Sequence, residues 1–155
     1  MALRRLATIA FLTAGCGAKD GDSGTYEATP SDAGCGGETV TVAPGLQVAC
    51  TTGDCALEIV ATDPAPPDRG DNTWTVRLVD NTGSDLPVKT LTTAPFMPAH
   101  DHGTVPADYA GTLSDSGWSI GPFDLFMPGL WELRTAARLD NNTDVAIVVA
   151  FCVEG

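Results

Sequence analysis

Apolar and polar residues alternate in several short stretches of the chain. Residues 74–78 read Trp-Thr-Val-Arg-Leu, and residues 131–134 read Trp-Glu-Leu-Arg. Because successive side chains of a β-strand point to opposite faces, each stretch has one face suited to burial and one suited to water. We therefore predict two strands here, with Trp74 and Trp131 on their buried faces.

Further apolar runs are separated by clusters of Gly, Pro, Asn and Asp, as in a β-sandwich. The run 145–153 is apolar at nearly every position, which predicts a central strand. No window has a convincing helical period. We predict an all-β fold, a single immunoglobulin-like antiparallel β-sandwich of about seven strands. The other predicted strands are residues 56–61, 88–93 and 109–120, the last interrupted at 114–117, with 40–48 as a further candidate.

The first residues have the pattern of an export signal. Arg4 and Arg5 precede an apolar run, residues 6–14, that is too short to span a bilayer. The run ends at Gly15-Cys16 and resembles a bacterial lipobox, which implies cleavage before Cys16 and lipid on its sulfur. Residues 1–15 are then a lipoprotein signal peptide. The alternative is an ordinary signal peptide with an incidental cysteine.

Residues 16–38 are predicted to be a flexible tether that carries the lipidated Cys16. The segment is rich in Gly, Asp, Ser and Thr, and Tyr26 is its only large apolar side chain, so it cannot bury enough surface to order itself. The β-sandwich domain then covers residues 39–155. We expect anchoring to a cell-envelope membrane through the lipid on Cys16. Because Gly17, not an aspartate, follows the cysteine, the outer membrane is favoured over the inner membrane.

The chain is strongly acidic, with 20 Asp and Glu residues, 8 Lys and Arg residues and a formal net charge of -12. Removal of Arg4 and Arg5 with the signal peptide makes it more acidic still. A negative field of this size argues against nucleic acid as a partner.

Four cysteines follow Cys16, and an exported protein is expected to hold them as disulfides in a periplasm-like oxidising compartment. Four cysteines allow three connectivities. A bond between Cys50 and Cys55 across the intervening turn is favoured, which leaves Cys35 with Cys152. A thiolate metal site is the alternative, although the cysteines lack paired C-x-x-C spacing.

The stretch 95–103, Pro-Phe-Met-Pro-Ala-His-Asp-His-Gly, places Met97 close to His100 and His102, the two histidines of the protein. In an extended segment the two imidazoles project to the same side. A second Met-Pro pair follows at Met127. If the two loops meet at one end of the sandwich, two imidazoles and two thioethers converge. Soft sulfur together with imidazole nitrogen suits copper, Cu(I) above all.

The same residues have other interpretations. A methionine beside a proline at a strand end often fills a gap in the core, and a His-Asp-His-Gly loop is often a polar turn. Zinc is the next candidate metal, but thioethers are poor ligands for it.

Three motifs in order resemble the YtkA-like or FixH-like family of small exported β-sandwich domains. They are Asn-Thr-Trp-Thr-Val at 72–76, Met-Pro-Ala-His-Asp-His-Gly at 97–103 and Phe-Met-Pro-Gly-Leu-Trp-Glu at 126–132. The resemblance covers a little over half of the chain. It implies the sandwich fold and a place near copper trafficking or cytochrome oxidase assembly. The extra cysteines depart from the common form.

Catalysis has little support, because no serine lies in a nucleophile-elbow pattern and no phosphate-binding glycine motif is present. We expect a non-enzymatic, lipid-anchored copper-binding domain that carries or sequesters the ion and exchanges it with a copper donor or acceptor protein. The alternative is a metal-free structural or protein-interaction module of the cell envelope, whose acidic surface selects a basic partner.

Overall fold

The computed structural model describes residues 35–36 and 39–155. The predicted signal peptide 1–15, Cys16 and the predicted tether, except Cys35 and Gly36, lie outside the described residues. The described part contains no helix long and apolar enough to cross a bilayer. Its strands are β1 Gln47–Ala49, β2 Ala56–Asp63, β3 Gly70–Val79, β4 Val88–Met97, β5 His102–Gly103, β6 Tyr109–Ala110, β7 Thr112–Ser114, β8 Gly117–Leu125, β9 Gly129–Leu139 and β10 Asp144–Val153.

The strands form two antiparallel sheets packed as a sandwich. One has the order β1-β2-β3-β8-β7, and the other has the order β10-β9-β4-β5, with β6 also paired to β4. The rows β2-β3-β8-β7 and β4-β9-β10 reproduce the four-plus-three strand arrangement of an immunoglobulin constant-type domain. The predicted all-β sandwich is thus confirmed. The three additional strands have only two or three residues each, too few for a periodic signal in the sequence.

The core lies between the sheets and is built from the alternating positions of the long strands. Trp74 and Trp131 are fully buried, as predicted from alternation. Trp74 packs against Phe151 of the opposite sheet, with ring centroids 5.1 Å apart. Such contacts join the inner faces of both sheets into one hydrophobic cluster.

Strand β10 is an edge strand, so the prediction of a central strand at 145–153 was wrong. Its outward positions are small or partly exposed, and Val148 is 37% exposed. The segment before β2 covers its free backbone edge, because Val40 N–H donates to the Ala150 carbonyl at 2.8 Å and Thr51 N–H donates to the Ala146 carbonyl at 2.7 Å. Because these hydrogen bonds shield the edge of β10 from other chains, the strand can be apolar on both faces.

Both favoured disulfides are present. Cys50 is bonded to Cys55 across the exposed turn, and Cys35 is bonded to Cys152 near the end of β10. The second bond ties the end of the predicted tether to the sandwich. Because all four cysteines are oxidised, the thiolate metal site considered as an alternative is not formed.

Candidate metal site

The end of β4 and the short β5 form a hairpin that carries three of the predicted ligands. Met97, the last residue of β4, lies directly opposite His102, the first residue of β5. Residues directly opposite in an antiparallel pair project from the same face. The Met97 side chain is 1% exposed and belongs to the core, and His102 is half-buried beside it.

The connection between the two strands is a turn over residues 98–101, so this segment is not extended. His100 N–H donates to the Met97 carbonyl at 3.2 Å, and Asp101 has a φ of 52°. Aspartate tolerates this left-handed backbone conformation in turns. The turn still brings the imidazoles together, since the ring centroids of His100 and His102 are 5.6 Å apart. His100 and Asp101 are exposed.

The glycine of the His-Asp-His-Gly motif permits β5 to lie close against β4. A Cβ atom at Gly103 would lie 2.5 Å from the carbonyl oxygen of Pro95. Any side chain there would push β5 away from β4 and displace His102. The next residue, Thr104, is buried and donates its hydroxyl to the Pro106 carbonyl at 2.9 Å, which fixes the exit from the hairpin.

The second Met-Pro loop lies at the same end of the sandwich, between β8 and β9. The ring of Phe126 stacks on the imidazole of His102, with centroids 5.4 Å apart and an interplanar angle of 19°. Two side chains hold this loop. Trp131 Nε1–H donates to the Met127 carbonyl at 3.0 Å, and Arg69 Nη2 donates to the Phe126 carbonyl at 3.4 Å.

The structure thus places the four predicted ligand residues at one end of the molecule, in two loops joined by a ring contact. Met97, His100 and His102 share one hairpin. The Met127 side chain is half-buried and packs against the hydrophobic core. The contact between the loops is made by its neighbour Phe126.

One nitrogen of His102, Nδ1, is among four buried side-chain polar atoms that have no hydrogen-bond partner in the described residues. Whichever tautomer the ring adopts, a buried lone pair or a buried N–H is left unpaired, which costs about 1–3 kcal/mol. A ligand bound by the lone pair would remove that cost.

Oxygen and nitrogen ligands alone do not make a metal site here. In residues 35–36 and 39–155, no three or more His, Cys, Asp or Glu side chains are grouped closely enough to hold an ion. The oxygen ligand set of a calcium site and the His, Cys and carboxylate ligand set of a zinc site are therefore not formed around the two imidazoles. Thioether sulfur or water would have to complete the coordination of any ion bound there.

Sequence reasoning did not identify Phe126 as part of the site. The signals were the repeated Phe-Met-Pro triplet, at residues 96–98 and 126–128, and the place of Phe126 in the third motif of the resemblance. The two phenylalanines have different roles, however, because the Phe96 ring lies beneath the Arg134 guanidinium at 3.7 Å and Phe126 contacts His102 and Trp131. The repeat was visible, but the difference in role depends on the tertiary structure.

No protein-family model matches the sequence, and comparison with curated proteins and with solved structures found no match. The resemblance to the YtkA-like or FixH-like family stays a prediction drawn from three motifs.

Proposed function

We propose that this protein is a non-enzymatic copper-binding domain of the cell envelope that carries or sequesters Cu(I). Met97, His100 and His102 would hold the ion, with Met127 as a further thioether. A copper donor or acceptor protein would exchange the ion at the exposed end of the sandwich. The lipid on Cys16 would attach the domain to a membrane, with the outer membrane favoured.

One observation carries the proposal, namely the pairing of Met97 with His102 in the β4–β5 hairpin. It sets a buried thioether on the same face as a half-buried imidazole, and the second imidazole is 5.6 Å away between ring centroids. The unpartnered Nδ1 of His102 adds a nitrogen available for coordination. Mixed thioether and imidazole ligands favour copper over calcium or magnesium.

The disulfides support the proposed location. Both bonds are typical of proteins outside the reducing cytosol. They also keep four cysteine sulfurs out of metal chemistry, which leaves the histidine and methionine side chains as the soft ligands of the described part of the chain.

Competition with a chromophoric Cu(I) chelator tests the proposal. The oxidised protein is used in a Cys16→Ser background, because a free thiolate would bind Cu(I) by itself. We expect His100→Ala/His102→Ala to lower Cu(I) affinity more than about tenfold, which is ~1.4 kcal/mol. Met97→Leu, which keeps the buried volume, should also weaken binding.

Unfolding midpoints of the variants serve as the control for folding. Equal Cu(I) affinity in the wild type and in the double histidine variant would reject ligation by imidazole. The metal-free interaction module would then be the better account.

A specific feature favours that second candidate. Leu113, on the edge strand β7, is 62% exposed. It lies beside a cleft of about 390 Å³ whose lining includes Arg77, Asp85 and Trp118. An exposed leucine on a strand edge, with the carboxylates of Asp85 and Asp115 in the adjacent cleft lining, suits an extended segment of another protein that carries basic residues.

A further inference from the structure

The surroundings of His102 differ in kind on its two sides. One face of the imidazole stacks on the Phe126 ring, with centroids 5.4 Å apart. Phe126 is itself 41% exposed, and Met97, the strand partner of His102, is 1% exposed. Phe126 in turn contacts the fully buried Trp131 edge-on at 5.7 Å. Towards solvent lies His100. An ion bound between the imidazoles and Met97 would therefore have an apolar wall on one side.

Neutralisation of the ion's charge also bears on which ion the site prefers. Within the described residues, no carboxylate joins the two histidines in a group able to hold an ion. The cost of moving an ion from water to a less polar environment rises with the square of its charge. The Phe126 ring supplies no charge that would offset this cost, so its presence beside the ion disfavours a divalent ion more than a monovalent one.

We propose that Phe126 determines the selectivity of this site for monovalent Cu(I) over divalent Cu(II) and Zn(II). This inference rests on the copper-binding function proposed above. Phe126 is not a ligand. It acts through His102, by covering the imidazole and by occupying the position from which a polar side chain would stabilise a dication.

The test compares affinities for two ions in the same oxidised, Cys16→Ser protein. Cu(I) and Zn(II) affinities are measured by competition with chelators for the wild type, Phe126→Leu and Phe126→Asp. A carboxylate attracts a dication more strongly than a monocation, so Phe126→Asp should lower the Cu(I)-to-Zn(II) affinity ratio by about five- to tenfold. Phe126→Leu keeps the wall apolar and should leave the ratio within about twofold.

Leu113→Asp provides the matched control, because it introduces the same charge at an exposed apolar position on β7, away from the histidine hairpin. The Cu(I)-to-Zn(II) affinity ratio of Leu113→Asp should equal that of the wild type. The Cu(II)/Cu(I) reduction potential gives a second readout, which a merely structural role would not move. It should fall in Phe126→Asp and stay unchanged in Phe126→Leu.

The outcomes separate the two proposals. A wild type that binds neither ion overturns the copper function itself. A wild type that binds Cu(I) with a ratio unchanged by Phe126→Asp overturns the role of Phe126 and leaves the copper function standing. If Phe126→Asp does not unfold cooperatively, Phe126→Asn replaces it, with the same direction of change expected and an unchanged ratio again contradicting the inference.

Discussion

Thr93 and Thr135 face each other across β4 and β9, inside the core. Their hydroxyl oxygens are 3.0 Å apart, and both residues are almost fully buried. A buried hydroxyl that loses its partner costs about 1–3 kcal/mol, whereas loss of both hydroxyls in an isosteric pair costs much less. The two side chains therefore depend on each other.

We expect Thr93→Val to destabilise the protein by about 1–3 kcal/mol, because it leaves the buried Thr135 hydroxyl without its hydrogen-bond partner. The double variant Thr93→Val/Thr135→Val should be more stable than Thr93→Val alone. Urea unfolding measures both, with Thr92→Val, an exposed position on the same strand, as the control. A double variant less stable than the single one would show that the pair is not coupled in this way.

For individual residues, the sequence revealed the candidate ligands, because histidine and methionine are rare in the chain and three of them lie within residues 97–102. It did not reveal that Phe126 covers His102, since this contact joins residues in two different loops. Nor did it reveal the burial of His102 Nδ1, which depends on how the hairpin seats against the core.

Among the elements, β2 and β3 are joined by a charged cross-strand pair on their outer face. Glu58 lies opposite Arg77 and accepts a hydrogen bond from its Nη2 at 2.6 Å. Gln47 Nε2 donates to the same carboxylate at 2.9 Å. The hydrogen bond from Arg77 and, to a smaller extent, that from Gln47 hold the pKa of Glu58 below its ordinary value.

A lowered pKa in the folded state means that the ionised carboxylate stabilises the fold. That stabilisation is complete above the unfolded-state pKa, about 4.3 for glutamate, and is lost as pH falls through the folded-state value. We expect Glu58→Gln to be less stable than the wild type at pH 7 and to converge with it below about pH 4.

Urea unfolding from pH 7 to pH 3 measures this difference. Asp115→Asn, an exposed carboxylate in the β7–β8 turn, is the control for general charge effects. A stability gap between Glu58→Gln and the wild type that stays constant over this range would contradict the ion-pair explanation.

The alternation of apolar and polar residues predicted most of the long strands, but it did not predict which strands pair with each other. The pattern of residues 145–153 reveals an apolar segment, and it does not reveal that β10 is an edge strand covered by Val40 and Thr51. The two-residue β5 has no period to detect, because its existence depends on pairing with the end of β4. Register and sheet order are tertiary properties, which local patterns do not encode.

For the molecule as a whole, the paired strands of the sandwich bring loops that are distant in sequence to one end. Met97 and Met127 are 30 positions apart in sequence. The strand pairing of β4 with β9 nevertheless places the ends of both loops side by side. Sequence could predict the sandwich, but only the strand order shows that these loops share one end.

The disulfides act at the same scale. Cys35–Cys152 joins residues 117 positions apart, so it constrains almost the whole described chain. Turn spacing favoured one bond, and the other followed by elimination. The sequence alone left three connectivities open, because the local pattern of residues does not show that Cys35 lies close to β10.

Copper K-edge X-ray absorption of the Cu(I)-loaded, oxidised Cys16→Ser protein tests the central claim most directly, because it identifies the atoms bound to the ion. The proposed site predicts a mixed shell with imidazole nitrogen from His100 and His102 and thioether sulfur from Met97 or Met127. A shell of nitrogen and oxygen only, or of sulfur only, would contradict a site built from histidine and methionine side chains together.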